Sequence, residues 1–255
     1  MEIRRVKKHD VDMTSGSVFR HLLNFAVPLL MGNIFQQLYN TVDTWVVGNY
    51  VSNEAFSAVG TVAPIINTLI GAFSGLASGA GVVISQYYGA GRHDRVKDAV
   101  HTAVMMTLVL SVAFTAIGIA MTPNMLRLMK TPAEVFPESR AYLNIYFSGM
   151  AGLMLYNMGA GILRAVGDSK RPFYYLVCAA VINTVLDLVF VIAFGMGVEG
   201  VAYATIIAQG ISAFLTMLTL LRSESCVRVE LKLIRLHKDM LLKIIKVGIP
   251  AALQM

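Results

Sequence analysis

The sequence predicts an all-α membrane protein: a lobe of six transmembrane helices followed by the start of a seventh. Three observations carry this. Apolar residues come in long blocks, few charges interrupt those blocks, and basic residues collect in alternate connections. Hydrophobic residues make up 56% of the chain and charged residues 14%, with a mean hydropathy of +0.65. That charge share is about half that of an ordinary soluble domain.

The elements follow in order. Apolar runs cover Leu22 to Gly48, Phe56 to Tyr88, Ala99 to Met121, Tyr142 to Leu163, Phe173 to Gly195 and Val198 to Leu221, and another begins near Leu241. Each of the six reaches the about 20 residues that a helix needs to cross a bilayer. Helices are the expected form because backbone groups in lipid must be satisfied within the segment. Strand-like alternation is absent from these runs, which excludes a transmembrane β-barrel. The first run is too long for a cleaved leader and continues through Gln36 and Asn40. In the second, Gly71, Gly75 and Gly79 recur every four residues, a spacing that lets helices approach closely and is assigned to packing. Cys178 and Cys226 are too far apart in character and position to suggest a disulfide framework or metal cluster. The predicted organisation is a tail over 1–21, a six-helix lobe over 22–221, a linker over 222–240 and the start of a second lobe over 241–255.

The net charge of +6 is sorted by side. The tail, the second-to-third and fourth-to-fifth connections and the region after the sixth run hold 18 Lys and Arg, whereas the other side holds only Arg127, Lys130 and Arg140. The positive-inside rule then predicts a multi-pass protein of the cell membrane with a cytoplasmic N-terminus. A nucleic-acid partner would not require such sorting and is not expected.

Leu22-Leu-Asn-Phe-Ala-Val-Pro28 and Ile244-Ile-Lys-Val-Gly-Ile-Pro250 share a pattern at an offset of 222 residues. Both follow basic stretches, as parallel repeats separated by six spans would. The parent architecture predicted by this repeat has twelve helices in two lobes, so the chain reads as one half of it. The C-terminal lobe of the same chain becomes an expected partner, beside the lipid bilayer.

Asp43 and Asp187 are the acids placed well inside apolar runs, away from the run ends. Such a residue costs about 2.5 kcal/mol or more at mid-bilayer, and it persists where it faces a wet cavity, holds a proton or binds a cation. Asn183 and Asp187 share a helical face, as do Thr205 and Gln209, and Gln36, Asn40 and Asp43 form a third stripe. Lipid cannot face these stripes, so they are expected to converge. Oxygen ligands of this kind suit Na⁺, and the carboxylates alternatively suit H⁺. Pro28 removes a backbone hydrogen bond from the helix that carries Asp43, making it a candidate hinge or a static kink. Met31, Phe35, Tyr39, Met154 and Asn157 are candidate cavity residues, since flexible and aromatic side chains accommodate varied ligands.

Five stretches in order then resemble the multidrug and toxic compound extrusion (MATE) transporters. They are Pro28-Leu-Leu-Met-Gly-Asn-Ile-Phe-Gln-Gln with Asp43-Thr-Trp-Val-Val-Gly48, Gln86-Tyr-Tyr-Gly-Ala-Gly91, Arg164-Ala-Val-Gly-Asp-Ser-Lys-Arg-Pro172, Asn183-Thr-Val-Leu-Asp187, and Gly197-Val-Glu-Gly-Val-Ala-Tyr-Ala-Thr205. The resemblance implies two six-helix lobes forming a V and cation-driven export of amphipathic, mostly cationic compounds. It also implies a coupling-cation site matching Asp43, Asn183, Asp187 and Thr205, with Na⁺ or H⁺ as the ion and no other cofactor. Bending at the residue matching Pro28 is a proposed route of substrate expulsion in some members.

The nearest alternative is a lipid-linked oligosaccharide flippase of the same superfamily, which would be expected to line its cavity with basic residues for pyrophosphate. Mid-membrane charges that are acidic favour cationic cargo instead. An intramembrane aspartyl protease is excluded because neither Asp43 nor Asp187 lies in a Tyr-Asp or Gly-x-Gly-Asp motif. No glycine loop precedes a lysine in the manner of a nucleotide-binding P-loop, so ATP-driven transport and enzymatic activity are not expected.

Overall fold

The computed structural model describes residues 18–254, with the side chains of residues 18, 20 and 21 left aside. The tail lysines and arginines at 4, 5, 7 and 8 lie outside the described residues. Among the described residues eight α-helices follow one another: α1 (Val18–Tyr50), α2 (Asn53–Gly89), α3 (His93–Leu128), α4 (Phe136–Ser148), α5 (Met150–Ala165), α6 (Lys170–Leu188), α7 (Gly197–Arg222) and α8 (Lys238–Leu253). A π-helical turn, Val189–Ala193, continues α6 directly after Asp187 and Leu188.

Among the described residues, α2, α3, α6 with its π turn, and α7 are long and apolar enough to cross a membrane. The expected fourth span differs: it breaks at Gly149 into α4 and α5. There the chain meets α7 so closely that a Cβ on Gly149 would overlap Ile206. The first span forms a single helix of 33 residues, about 50 Å long, but Asn33, Gln36, Gln37 and Asn40 dilute its apolar character. Val112, Val181 and Phe214 are more than half exposed, as side chains meeting lipid would be.

The connections explain two of the sequence motifs. At Gly91, N–H donates to Tyr88 O and the next N–H, of Arg92, to Tyr87 O. At Gly167 the same pair of bonds runs to Arg164 O and, from Asp168, to Leu163 O. Both are Schellman caps, which close the last carbonyls of a helix and require the left-handed backbone that glycine tolerates, here φ +69° and +89°. Asp168 then accepts from the Arg171 N–H at 3.1 Å and begins α6. At the other end of the molecule Ser52 caps α2 by accepting from Ala55 N–H at 3.0 Å.

Two apolar cores form. One joins Ile84, Val96, Val100, Leu163, Val166, Leu220, Val227 and Met240, and so gathers the connections rich in basic residues at one end. The other joins Val46, Val62, Leu126, Tyr142, Phe147, Val191 and Val198. Between the ends, α8 lies against α2. A Cβ on Gly75 would overlap the Ala252 backbone, and one on Gly79 that of Gly248. Gly75 and Gly79 therefore serve helix packing, as their spacing predicts, whereas Gly71 lies on the wall of a cavity.

Candidate functional site

The polar stripes of α1, α6 and α7 meet inside the lobe. Asp43, Asn183, Asp187 and Thr205 are all buried, Asn183 and Asp187 completely. The Asp43 carboxylate faces those of Asp187, the Thr205 hydroxyl and the Tyr39 hydroxyl at close range. Asn183 lies one helical turn before Asp187, on the same face. Tyr142 and Tyr146 of α4 wall this group, their rings stacked with centroids 6.4 Å apart. Sequence reasoning missed these two tyrosines and the π turn. The i, i+4 spacing of the tyrosines inside an apolar run was the available signal, whereas nothing local announces the π turn.

Most of the oxygens gathered here have no hydrogen-bond partner. Asp43 Oδ1, both carboxylate oxygens of Asp187, and Oδ1 and Nδ2 of Asn183 are buried and unpaired. The two carboxylates face each other at close range, and with both ionised neither has a proton to donate to the other. Thr205 donates its hydroxyl proton to Val201 O at 2.9 Å, which leaves its oxygen lone pairs for another ligand. Buried polar atoms are normally paired, and each exception calls for an explanation. Two facing carboxylates cannot both stay charged in a dry site without a cation or a shared proton. Asp43, Asp187, Asn183 and Thr205 could hold a small hard cation through oxygen, or the acids could hold a proton.

The remaining candidates divide. Pro28, Gln36, Asn40 and Asn157 line one cavity of about 1050 Å³ between α1, α2, α5 and α6. Asn157 donates to Leu153 O at 2.8 Å and accepts from Ser74 Oγ at 3.4 Å, so it is already engaged. Gln209 is elsewhere, set against the Tyr146 hydroxyl. Met154 is packed into the second core rather than a cavity, and Met31 is exposed on α1. Phe35 stacks edge-on against Phe173 at 5.8 Å, and Tyr39 belongs with the acids. The cavity reaches the end of the lobe that holds the basic connections, so its lining also includes a residue the sequence places in one of them. Arg164, in the last turn of α5, is the charged residue on the cavity wall, while the two acids are sequestered outside that lining.

The chain as a whole is similar to known proteins. The MatE family model matches residues 28–189. The chain is 34% identical over 244 residues to the "Probable multidrug resistance protein YpnP" of Bacillus subtilis, covering 96% of this chain and 54% of that protein. It is 36% identical over 250 residues to the "Probable multidrug resistance protein YoeA" of the same organism, covering 94% and 53%. Among solved structures, a MATE protein in the bent conformation superposes with a TM-score of 0.87 at 26% identity, covering 93% of this chain and 53% of that one. An inward-facing MATE transporter of the MOP superfamily superposes with a TM-score of 0.80 at 27% identity over 86% of this chain and 50% of the other. The chain thus spans about half the length of the relatives it matches. Matched over most of its length by both sequence and fold, it belongs to the MatE family, the multidrug and toxic compound extrusion transporters.

Proposed function

We propose that this lobe belongs to a secondary active multidrug efflux transporter that exchanges Na⁺ or H⁺ for amphipathic, mostly cationic compounds. The observation that carries the proposal is the cluster of unpaired, buried oxygens on Asp43, Asn183 and Asp187. A ligand that comes and goes is the economical account of polar atoms left unpaired where water is excluded. Binding a cation there would draw α1, α6 and α7 together, and releasing it would leave two facing carboxylates in repulsion. The π turn beside Asp187 adds a local irregularity of the kind often found at functional sites. Pro28 lies in the helix that carries Asp43 and on the wall of the cavity, so strain at one site has a covalent route to the other.

The relatives named for multidrug resistance support export as the activity. A second lobe of comparable size is the partner this reading requires, and the linker over 222–240 is its connection. In the cell membrane the end that holds the basic connections would face the cytoplasm.

A gradient-driven efflux assay tests the reading. The two-lobed form in proteoliposomes should export a cationic dye against an imposed Na⁺ or H⁺ gradient, and Asp187→Asn should abolish the dependence on that gradient. Coupling that survives Asp187→Asn would remove the ion site from this lobe. A second reading, lipid-linked oligosaccharide flipping, is favoured by Arg164 on the cavity wall. A single guanidinium is a weak match for a pyrophosphate, so efflux is preferred. Flipping would be supported by absence of dye export under either gradient together with translocation of a pyrophosphate-linked lipid.

A further inference from the structure

The cavity between α1, α2, α5 and α6 has an asymmetric chemistry. Its walls carry aromatic and aliphatic surface from Phe25, Leu29 and Phe173, and neutral amides from Asn33 and Gln36. Among the described residues one charge stands against these, the guanidinium of Arg164, and no carboxylate lines the cavity. Arg164 is half-buried. It forms no ion pair or hydrogen bond among the described residues. The acid nearest in sequence, Asp168, is committed: one oxygen accepts from Arg171 N–H at 3.1 Å and the other pairs with Arg171 Nε at 3.4 Å. The neighbouring Tyr156 donates its own proton to Pro172 O at 3.1 Å. A guanidinium with its donors unused at the wall of a roomy, partly apolar cavity matches an oxyanion, which it can take through two parallel hydrogen bonds.

We propose that Arg164 receives a carboxylate on the cargo, so that the cavity selects amphipathic compounds bearing a carboxylate beside their aromatic part. The inference rests on the efflux reading and narrows its substrate class. A volume of about 1050 Å³ accommodates a drug-sized molecule. The cargo's own positive charge, where present, would face the neutral amides of α1 rather than the sequestered acids.

Rhodamine B and its ethyl ester test this, since they share one cationic ring system and differ in a free carboxylate. Fluorescence polarisation on the two-lobed protein in detergent should show the free acid binding about ten-fold more tightly than the ester. In R164Q the ratio of the two affinities should fall to about one, and in R164K it should be intermediate, because an ammonium keeps the charge but loses the planar fork. A wild-type ratio near one, or a preference that R164Q leaves unchanged, overturns the proposal. Should R164Q fail to fold, R164K decides: a reduced preference supports the assignment and an unchanged one overturns it. Repeating the measurement in nanodiscs separates cargo from lipid, since a preference lost with phosphatidylglycerol but kept with phosphatidylcholine assigns Arg164 to a lipid headgroup and overturns the cargo assignment. Gradient-driven export of the ester without preference for the acid would sink this inference alone, whereas failure to bind or export either dye would sink the efflux reading with it.

Discussion

Two polar clusters in this lobe, each with a buried centre, make opposite use of that burial. Near the end with the basic connections, His101 is 2% exposed, and both of its ring nitrogens are engaged. Nδ1 donates to Lys97 O at 2.7 Å, which leaves Nε2 to accept from the Glu230 N–H at 2.9 Å. Thr102, beside it, accepts from the His237 N–H at 3.2 Å. Arg95 reaches Asp239 at 2.9 Å and Lys243 reaches the Tyr87 hydroxyl at 2.6 Å. These bonds hold residues 222–240 as a strap against α2 and α3, with Val227 and Val229 buried beneath. In the second cluster, Asn183 and Asp187 are fully buried and their side-chain atoms unpaired. Saturated polar groups specify a structure, whereas unsaturated ones leave room for a ligand.

That contrast can be broken by substitution, and the largest effect is expected at the unpaired cluster. Asp187→Asn should lower gradient-driven efflux by about ten-fold or more, while the thermal midpoint in detergent stays level or rises, since a buried charge has been removed. A matching fall in both would make Asp187 structural. Next in size is the helix seam. Gly79→Leu should cost about 3 kcal/mol through overpacking against Gly248, read as a lowered midpoint. An unchanged midpoint would mean that α8 does not seat on α2. His101→Leu should then cost about 1–2 kcal/mol by stranding the Glu230 N–H. It should also speed tryptic cleavage at Arg228, Lys232 and Arg235, and leave the ion dependence of transport in place. Unaltered cleavage would show that the strap is held elsewhere. Smallest is Ser52→Ala, expected to lower stability by about 1 kcal/mol through loss of the α2 cap, with transport kept. A loss of coupling there would tie the cap to the ion site.

The convergence of Asp43, Asp187 and Thr205 was legible because a polar stripe in lipid has only the protein interior to face, and i, i+4 spacing names the stripe. Asn157 could be placed on a cavity wall by type, but Met154 could not be kept from one. A flexible apolar side chain suits a cavity and a core equally, and only its neighbours decide between them. Gln209 shows the same limit, since sharing a helical face with Thr205 brought it to Tyr146 rather than to the large cavity. The division of the fourth span escaped notice because Gly149 looks locally like any glycine in an apolar run. What distinguishes this glycine is a tertiary contact, since Ile206, 57 positions later in the chain, lies where its Cβ would stand.

By itself the sequence determined the solvent and the secondary structure of this protein. Apolar run length, the cost of unsatisfied backbone in lipid and the sorting of Lys and Arg leave little choice but a bundle of helices with its basic connections on one side. The tertiary structure decided which polar atoms find partners. His101 and Asp187 are both ionisable residues within long helices. One meets a backbone N–H delivered by a strap 129 residues away, and the other meets another carboxylate. Pairing of that kind depends on where distant helices come to rest, a three-dimensional fact that local spacing does not encode.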